Sequence, residues 1–298
     1  MNDLPAEAIR KELRLLVREL GLLNRNSFHS KLSLAQAHVL NYILKNGTTP
    51  VTELQLQLSM DKASLSRIVN GLAEKSYVII EQSSTDKRAN VIRLLPLGQI
   101  AIDEANKDAN AYINQLFEVS ANFDQMFAIS RSLQSFRMLA LRNNLLRNPS
   151  RMTFETVKGH YLVAALDLAV RIFSEEQDIP SDLVPVMESF QPVWWGARIG
   201  EDICGTAASW LDNGKWHWGR FAVNKELRGS GLGGKLAHYS LEATFQLGAE
   251  QIFLEARETT VRIVSKLGGR VVGEPFDFYG EPIFPMMVSR EEFQTIQM

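Results

Sequence analysis

The feature that most constrains the fold is a glycine-rich turn between a predicted strand and a predicted helix. The strand ends at Val223, and four glycines follow before a helical pattern that includes Leu236, Ala237 and Ser240. Glycines at the start of a helix let backbone N–H groups approach an anion, because those groups lack partners inside the helix. The turn therefore predicts a pyrophosphate-binding site. Its residues are Arg228, Gly229, Ser230, Gly231, Leu232, Gly233 and Gly234.

Two common phosphate-binding motifs do not fit this turn. The dinucleotide fingerprint needs G-x-G-x-x-G after a first strand, with an acidic residue about 20 residues later. Glycines 229, 231, 233 and 234 lack that spacing. The P-loop needs a G-K-S/T tail after its spacer, and this tail is also missing.

The turn instead resembles the Arg/Gln-x-x-Gly-x-Gly/Ala signature of the GNAT acetyltransferase superfamily. The resemblance continues through the strand-like QIFLEAR (251–257), a predicted helix at 258–267 and a final strand pair, and covers about 190 to 290. It implies an α/β fold with a mixed, mostly antiparallel sheet. It also implies that backbone N–H groups from 229 to 234 hold the pyrophosphate of acetyl-CoA or another acyl-CoA. Val223 would pair with the pantetheine arm between splayed strands, and the acyl group would pass directly to a small-molecule amine.

The predicted catalytic groups depart from the family pattern. Many members have a tyrosine that protonates the leaving thiolate, and alignment on Lys266-Leu267-Gly268 puts Val264 at that position. Arg257 stands where an asparagine is frequent. Tyr279 is a possible replacement, although an aromatic residue near a turn more often packs. Glu255 is the best candidate for the base, and a solvent-facing strand residue is an equally good interpretation.

Other reactive residue types are expected to be structural. His217 alternates with two tryptophans on a strand, and Cys204 on a strand is more often buried than nucleophilic. A single cysteine excludes an internal disulfide and suits the cytoplasm. No metal is expected, because the histidines show no ligand spacing. The histidines are His29, His38, His160, His217 and His238.

The first half of the chain has a pattern typical of a helix-turn-helix followed by a β-hairpin. A helix capped by Ser33 stops at Gly47, and Asp61 is the predicted N-cap of a later helix. That helix has an apolar stripe formed by Leu65, Ile68, Val69 and Leu72. Its opposite face carries Lys62, Ala63, Ser66, Arg67, Asn70 and Gly71, which suits entry into a major groove. The hairpin strands are Val78-Ile79-Ile80 and Val91-Ile92-Arg93-Leu94, with a polar tip at 83–90.

The segment from Leu54 to Gly98 resembles the MarR family of winged-helix repressors. The resemblance rests on MDKASLSRIVNGLAEKSYV for the recognition helix and STDKRANVIRLLPLGQ for the wing. It implies that Lys62, Ser64, Ser66 and Arg67 approach bases or phosphates of double-stranded operator DNA. It also implies that Arg88 enters a minor groove and that Asp86 orients Arg88. A solvated helix face and an ordinary hairpin are the alternative.

Two long helical patterns follow, from Leu97 to Val119 and from Phe123 to Leu146. The resemblance implies a homodimer formed through the terminal helices, which would let the protein read a pseudo-palindromic site. Simple packing of the domain core is the other interpretation of these helices.

The composition also differs between the two halves of the chain. The 298 residues suggest two domains, and a polar joint ends at Pro149-Ser150-Arg151. Residues 1–150 hold 18 Lys/Arg against 14 Asp/Glu, whereas residues 151–298 hold 14 against 20 and all five tryptophans. We expect a DNA-binding and dimerisation domain at 1–148 and an acyltransferase domain at 149–298. No apolar run is long enough to cross a membrane, and the first residues lack the apolar core of a signal peptide.

Three functional hypotheses follow from the sequence. The first is a bifunctional transcriptional regulator and N-acetyltransferase. The second is a transcription factor whose GNAT-like domain senses acyl-CoA without turnover, which the valine at 264 favours. The third is an enzyme whose winged helix serves only as a dimerisation scaffold.

Overall fold

The computed structural model describes residues 4–24, 26–28, 30–84, 86–118 and 123–295. Three residues in the sequence-based predictions, His29, Thr85 and Val119, lie outside these ranges. The chain divides into two compact units, Met1–Arg131 and Ser132–Met298. In the described ranges no helix is long and apolar enough to span a membrane.

The first unit is mainly helical, with a small sheet. Its elements are α1 (Leu4–Glu19), α2 (Leu34–Asn46), β1 (Thr49–Pro50), α3 (Val51–Gln57), α4 (Lys62–Glu74), β2 (Val78–Gln82), β3 (Asn90–Leu94) and α5 (Pro96–Phe117). Helix α6 (Phe123–Arg147) begins in this unit. The sheet is antiparallel with the order β1-β3-β2, and β2 and β3 form the predicted hairpin.

Local side-chain signals explain where these helices begin and end. The Ser33 hydroxyl accepts the Gln36 N–H at 3.2 Å, and the Gln36 side chain accepts the Ser33 N–H at 3.2 Å. This reciprocal pair is a capping box. Gly47 ends α2 with a φ of 74°. The Asp61 carboxylate accepts the Ser64 N–H at 2.8 Å and begins α4. These three predicted helix limits are confirmed.

The core of the first unit explains the orientation of α4. Leu65, Val69 and Leu72 are buried with side chains from α2, α3 and the hairpin. The opposite side of the helix is exposed at Lys62, Ser66, Arg67 and Asn70. The predicted division of α4 into an apolar stripe and a polar face is confirmed.

The second unit contains the α/β fold. Its elements after α6 are β4 (Thr153–Thr156), α7 (Gly159–Gln177), β5 (Val193–Ile199), β6 (Asp202–Asp212), β7 (Lys215–Val223), α8 (Leu232–Gln246), β8 (Gln251–Ala256), α9 (Glu258–Ser265), β9 (Arg270–Val271), β10 (Phe276–Phe278), β11 (Glu281–Ser289) and α10 (Arg290–Thr295). Short 3₁₀ helices cover Pro149–Arg151, Ser181–Leu183, Glu188–Phe190 and Lys225–Leu227.

The large sheet is mixed and mostly antiparallel, as the sequence predicts. Its order is β10-β11-β8-β7-β6-β5-β4, and β9 pairs with β11. The β7–β8 pair is parallel, and the other pairs are antiparallel. Two clusters of buried side chains cover opposite faces, one built with α7 and the other with α8. Trp194 faces the first cluster and Trp195 the second, as expected for adjacent residues of a strand.

Helix α6 contributes its second half to this unit. Met138, Leu141 and Leu145 are buried in the same cluster as the α8 residue Leu236. The residues from Ser132 onward belong to the second compact unit. The boundary predicted between 148 and 149 lies just after the end of this helix.

Candidate functional site

Strands β7 and β8 separate after a short parallel contact. Their pairing is limited to Trp216 with Ile252 and His217 with Phe253. Beyond these pairs β7 continues to Val223, bonded to β6 on its other side, and β8 continues to Ala256. Diverging strands leave backbone groups free to pair with an extended ligand. The role that the resemblance implies for Val223 in such a gap stays a prediction.

A β-bulge shapes the wall of this opening. Thr206 pairs with Ala222 and Ala208 with Gly219, so Arg220 and Phe221 together oppose one residue of β6. Arg220 has a φ of 52°, in the left-handed region that non-glycine residues rarely occupy. Bulges redirect side chains next to functional sites. This one turns the Arg220 side chain into the opening.

The glycine-rich loop follows directly from the end of β7. Gly229 and Gly231 have φ values of 80° and 84°, which favour glycine at both positions. The Ser230 N–H and hydroxyl both donate to the Leu227 carbonyl oxygen, at 3.2 and 2.6 Å. The Arg228 side chain donates to the Val223 carbonyl oxygen at 3.3 Å. These bonds fix the loop as a tight turn.

Helix α8 begins at this loop without a side-chain cap. Gly231 is its N-cap and, having no side chain, gives the first turn no acceptor. The Lys235 N–H bonds to the Gly231 carbonyl oxygen at 3.2 Å. The N–H groups of Leu232, Gly233 and Gly234 precede that bond and lie in the first turn, where an α-helix supplies no partner. An anion bound at this turn would meet these groups, and such binding stays a prediction.

A cavity of about 360 Å³ lies between the ends of β7 and β8. Its walls are polar and apolar in about equal measure, and the apolar part includes Trp210, Phe221 and Phe278. The His217 ring stacks on Trp210, with centroids 5.6 Å apart and planes inclined by 14°. The volume is within the range of small-molecule sites. Of the five tryptophans, Trp194 and Trp195 are core residues, whereas Trp210 and Trp218 also line this cavity.

Charged groups of both signs face the cavity. Arg220 donates to the carbonyl oxygens of Leu183 and Val184 and lies over the Trp210 ring. Burial lowers the pKa of Arg220, and the nearby Glu255 carboxylate partly opposes that change. Glu255, the predicted base, is exposed at the end of β8 and lines the cavity.

Arg257 also lines the cavity, at the N-terminus of α9. One of its terminal nitrogens donates to the Gln177 carbonyl oxygen at 3.5 Å. Its Nε is buried and has no hydrogen-bond partner within the described residues. A buried donor of this kind needs an acceptor, which a water or a ligand can supply.

The two positions considered for the thiolate acid differ in their surroundings. Val264 is fully buried in the core of the second unit. Tyr279 is 43% exposed in the turn between β10 and β11, with its ring edge-on to Phe278. Among the described residues, the cavity lining includes Phe278 but not Tyr279.

Cys204 is buried on β6, and its burial raises the pKa of the thiol. A neutral thiol in the core is a poor nucleophile. His217 is half-buried in the cavity wall. Within the described chain, no three His, Cys, Asp or Glu side chains group as metal ligands.

The predicted DNA-binding residues form an exposed surface on the first unit. Lys62, Ser66 and Arg67 are exposed on α4, whereas Ser64 is half-buried and accepts from Arg67 at 3.5 Å. Asp61 has a lowered pKa, because its carboxylate accepts a hydrogen bond from Ser64.

The wing carries the other two predicted DNA-binding residues. Asp86 and Arg88 are both exposed at the tip of the β2–β3 hairpin. The Asp86 carboxylate accepts the backbone N–H of Arg88 at 2.9 Å. Asp86 therefore fixes the backbone of Arg88, which is consistent with the orienting role that the resemblance implies.

Three arginines of the second unit were missed by the sequence-based site prediction. Arg220 depends on the bulge, for which the isolated Gly219 within a strand is a signal. Arg257 was noted only as a departure from the family. Arg142, on α6, donates to the carbonyl oxygen of Arg228 in the glycine-rich loop at 3.0 Å. Nothing in the local pattern of α6 indicates this contact.

Family models match two segments of the chain. The MarR family matches residues 30–89, and the acetyltransferase (GNAT) family matches residues 162–268. Each segment lies within one compact unit. None of the curated proteins matches the chain.

Solved structures resemble each half of the chain. An acyl-CoA N-acyltransferase from Pseudomonas aeruginosa is 20% identical, with 46% of this chain and 98% of that chain covered and a TM-score of 0.39. Escherichia coli ElaA is 18% identical, with 46% and 98% covered and a TM-score of 0.39. Bordetella bronchiseptica BpsR, whose DNA binding is regulated by 6-hydroxynicotinic acid, is 19% identical, with 44% and 98% covered and a TM-score of 0.37.

Proposed function

We propose that this chain, a MarR-type domain fused to a GNAT acetyltransferase domain, is a bifunctional regulator and enzyme. The first unit binds double-stranded operator DNA as part of a homodimer. The second transfers an acyl group from acetyl-CoA, or another acyl-CoA, to a small-molecule amine. With this fusion, one chain would both regulate a gene and acylate a small molecule related to the product of that gene.

One observation carries the enzymatic proposal. The uncapped N-terminus of α8 adjoins the opening between β7 and β8, so an anion site and a strand-pairing site share one end of the sheet. Acyl-CoA has both matching parts, a pyrophosphate and an extended amide arm. In this proposal Gly229 to Gly234 bind the pyrophosphate through backbone N–H groups, and Val223 pairs with the pantetheine arm.

The acceptor amine occupies the cavity beside Glu255. An ammonium must lose a proton before its nitrogen attacks, and Glu255 accepts that proton directly or through one water. The amine nitrogen then forms a bond to the acyl carbon, the carbon–sulfur bond breaks, and the sulfur leaves with the bonding electron pair. The nitrogen loses a second proton as the amide forms and the sulfur gains one, so the products are an amide and a free thiol. Acyl-CoA supplies the activated thioester for this step.

The departing sulfur needs a positive charge or a proton donor nearby. Arg257 is the stronger candidate for the charge, because it lines the cavity and its Nε lacks a partner in the described structure. Tyr279 remains a candidate proton donor, and it would need the β10–β11 turn to approach the sulfur. Arg257→Gln and Tyr279→Phe separate the two roles by their effects on kcat.

Calorimetry with acetyl-CoA, followed by a thiol-release assay against a panel of amines, tests the enzymatic proposal. Cys204 is buried with a raised thiol pKa, so the folded protein adds little background to a thiol reagent. We expect binding, release with at least one amine, and about a 100-fold lower kcat for Glu255→Gln with unchanged acetyl-CoA affinity. Absence of acetyl-CoA binding to the wild-type protein would contradict the proposal.

A second function is favoured by one specific observation. Val264, at the position of the family's tyrosine, is fully buried and has no proton to donate. A domain that binds acyl-CoA without transferring it would act as a sensor for the DNA-binding unit. Binding of acetyl-CoA without thiol release from any amine in the panel would favour this function over the enzyme.

The DNA-binding proposal rests on the exposed basic residues of α4 and the wing. A dimer is proposed because Ile9, Leu13 and Leu16 expose apolar side chains along α1. Sedimentation analysis of the wild type and Leu13→Glu tests the dimer, and the variant should sediment as a smaller species.

A DNA-binding assay on the upstream region of the gene tests the regulator. If the protein binds this region no more tightly than unrelated DNA, the winged helix serves only as a dimerisation scaffold.

A further inference from the structure

The second half of α6 contacts the glycine-rich loop, although it lies outside the segment that matches the acetyltransferase family. The Arg142 Nε donates to the carbonyl oxygen of Arg228 at 3.0 Å. A Cβ added to Gly229 would lie 3.0 Å from a terminal nitrogen of Arg142. The guanidinium therefore packs directly against the first glycine of the loop.

Several contacts hold this part of α6 in place within the second unit. Met138, Leu141 and Leu145 are buried in its core. Ser135 donates to Glu226 at 2.7 Å, just before the loop. Arg137 donates to Asp202 at 2.8 Å. Arg142 is thus presented to the loop from a fixed helix.

The charge of Arg142 is uncompensated, unlike that of its neighbours. Arg137 pairs with Asp202, and Arg228 pairs with Glu176 at 2.7 Å. Within the described ranges Arg142 has no carboxylate partner, and its side chain is half-buried. A half-buried cation beside backbone N–H groups adds to their attraction for an anion.

We propose that Arg142 is a positioning residue of the acyl-CoA site, supplied by α6. Its bond to the Arg228 carbonyl holds the Arg228–Gly229 peptide, and its free donors attract the phosphate oxygens of acyl-CoA. The proposal rests on the proposed function, since it assumes that the loop binds acyl-CoA. It explains how a half of the chain with excess acidic residues holds an anionic ligand.

Variants of Arg142 separate the two contributions. Arg142→Ala removes both and should weaken acetyl-CoA binding about tenfold or more, as expected for a charge-assisted hydrogen bond. Arg142→Lys keeps the charge but loses the guanidinium fork, and Arg142→Gln keeps a donor but loses the charge. Both should bind with intermediate affinity. In turnover, KM for acetyl-CoA should rise while kcat stays within about twofold, since Arg142 lies apart from the Glu255 cavity.

Arg137→Ala is the matched control, because it removes an arginine of the same helix that is paired away from the loop. Met138, Leu141 and Leu145 still hold α6 in the core of this variant, so its acetyl-CoA affinity should be close to that of the wild type. Calorimetry at two salt concentrations should show weaker salt dependence only for Arg142→Ala and Arg142→Gln. Equal affinity of Arg142→Ala and wild type would overturn this proposal alone. Equal losses in the Arg137 and Arg142 variants would also overturn it, because displacement of α6 would then be the cause. No binding to the wild type would instead overturn the proposed function.

Discussion

Helices α4 and α8 are both proposed to meet phosphates, yet they begin in opposite ways. Helix α4 starts at Asp61, whose carboxylate accepts from its first turn, so the helix carries its own anion there. Helix α8 starts at Gly231, which offers no side chain. A helix N-terminus is electropositive, and an acidic cap satisfies the N–H groups that a phosphate would use.

The difference shows which atoms must do the binding at each site. At α4 the N-terminus is closed by Asp61, so attraction for DNA must come from exposed side chains such as Lys62 and Arg67. At α8 the N-terminus is open, so the ligand meets the backbone. Side-chain attraction is strongly dependent on salt, whereas a backbone cradle depends on the absence of Cβ atoms.

Placing an acid at the start of α8 should have the largest effect. Gly231→Asp puts a negative charge where the pyrophosphate is proposed to bind, and acetyl-CoA affinity should fall by about 100-fold. Gly231→Asn is the matched control, since asparagine tolerates the left-handed conformation and carries no charge. Its loss should be about tenfold or less. Calorimetry measures both, and equal losses would mean that shape rather than charge closes the site.

Removing cations from the first unit should have the next largest effect. Lys62→Ala and Arg88→Ala should each weaken operator binding about tenfold and reduce the salt slope by about one. Arg93→Ala is the control on the wing, because Arg93 is already paired with Glu81 at 2.9 Å. Titrations at several salt concentrations give the affinities and slopes. If Arg93→Ala matches Arg88→Ala, the wing binds by overall charge rather than through its tip.

Removing the acidic N-cap of α4 should have a smaller effect, which is on stability. Asp61→Ala leaves the Ser64 N–H without its acceptor and should lower the midpoint of thermal unfolding by a few degrees. Asp61→Asn should remain close to wild type, because asparagine is an equally good cap. The hydrogen bond to Ser64 lowers the pKa of Asp61, so its stabilisation is present above the ordinary aspartate pKa and lost as the pH falls through the lowered value. Thermal unfolding across acidic pH should therefore bring wild type and Asp61→Ala together.

The smallest expected effect concerns a glycine that has no side chain to contribute to binding. Gly71 lies within α4 with open space around the position of a Cβ. Gly71→Ala should stabilise the first unit by up to about 1 kcal/mol through helix propensity. DNA affinity should change little. A loss of stability in chemical denaturation would show that a side chain at position 71 is not accommodated, whereas a loss of DNA affinity alone would place Gly71 against DNA.

Features set by neighbouring residues were predictable from the sequence. Asn-Gly is a strong local signal for a hairpin, and Asn213 and Gly214 join β6 to β7 with φ values of 50° and 77°, which two-residue turns of this type require. The limits of α2 and α4 follow from Ser33, Gly47 and Asp61, which bond to backbone groups no more than four residues away. The glycine-rich loop was predicted because positive φ values and an open helix start depend on the local residue types.

Features that depend on distant partners were not predictable. Arg142 meets Arg228 across 86 positions of sequence, and the residues around it on α6 give no signal of this contact. The left-handed Arg220 depends on how β6 and β7 align. The cavity also requires side chains from α7, β7, β8 and β10, whose convergence is a property of the fold.

The burial of the end of α6 matters for anyone who divides this protein into halves. A fragment that starts at residue 149 would discard Met138, Leu141 and Leu145 and expose to water the apolar surface that they cover. A fragment that starts at Ser132 would keep these side chains and Arg142. Loss of solubility, and of affinity for acetyl-CoA, in the shorter fragment would thus reflect missing parts of the fold rather than the missing DNA-binding unit.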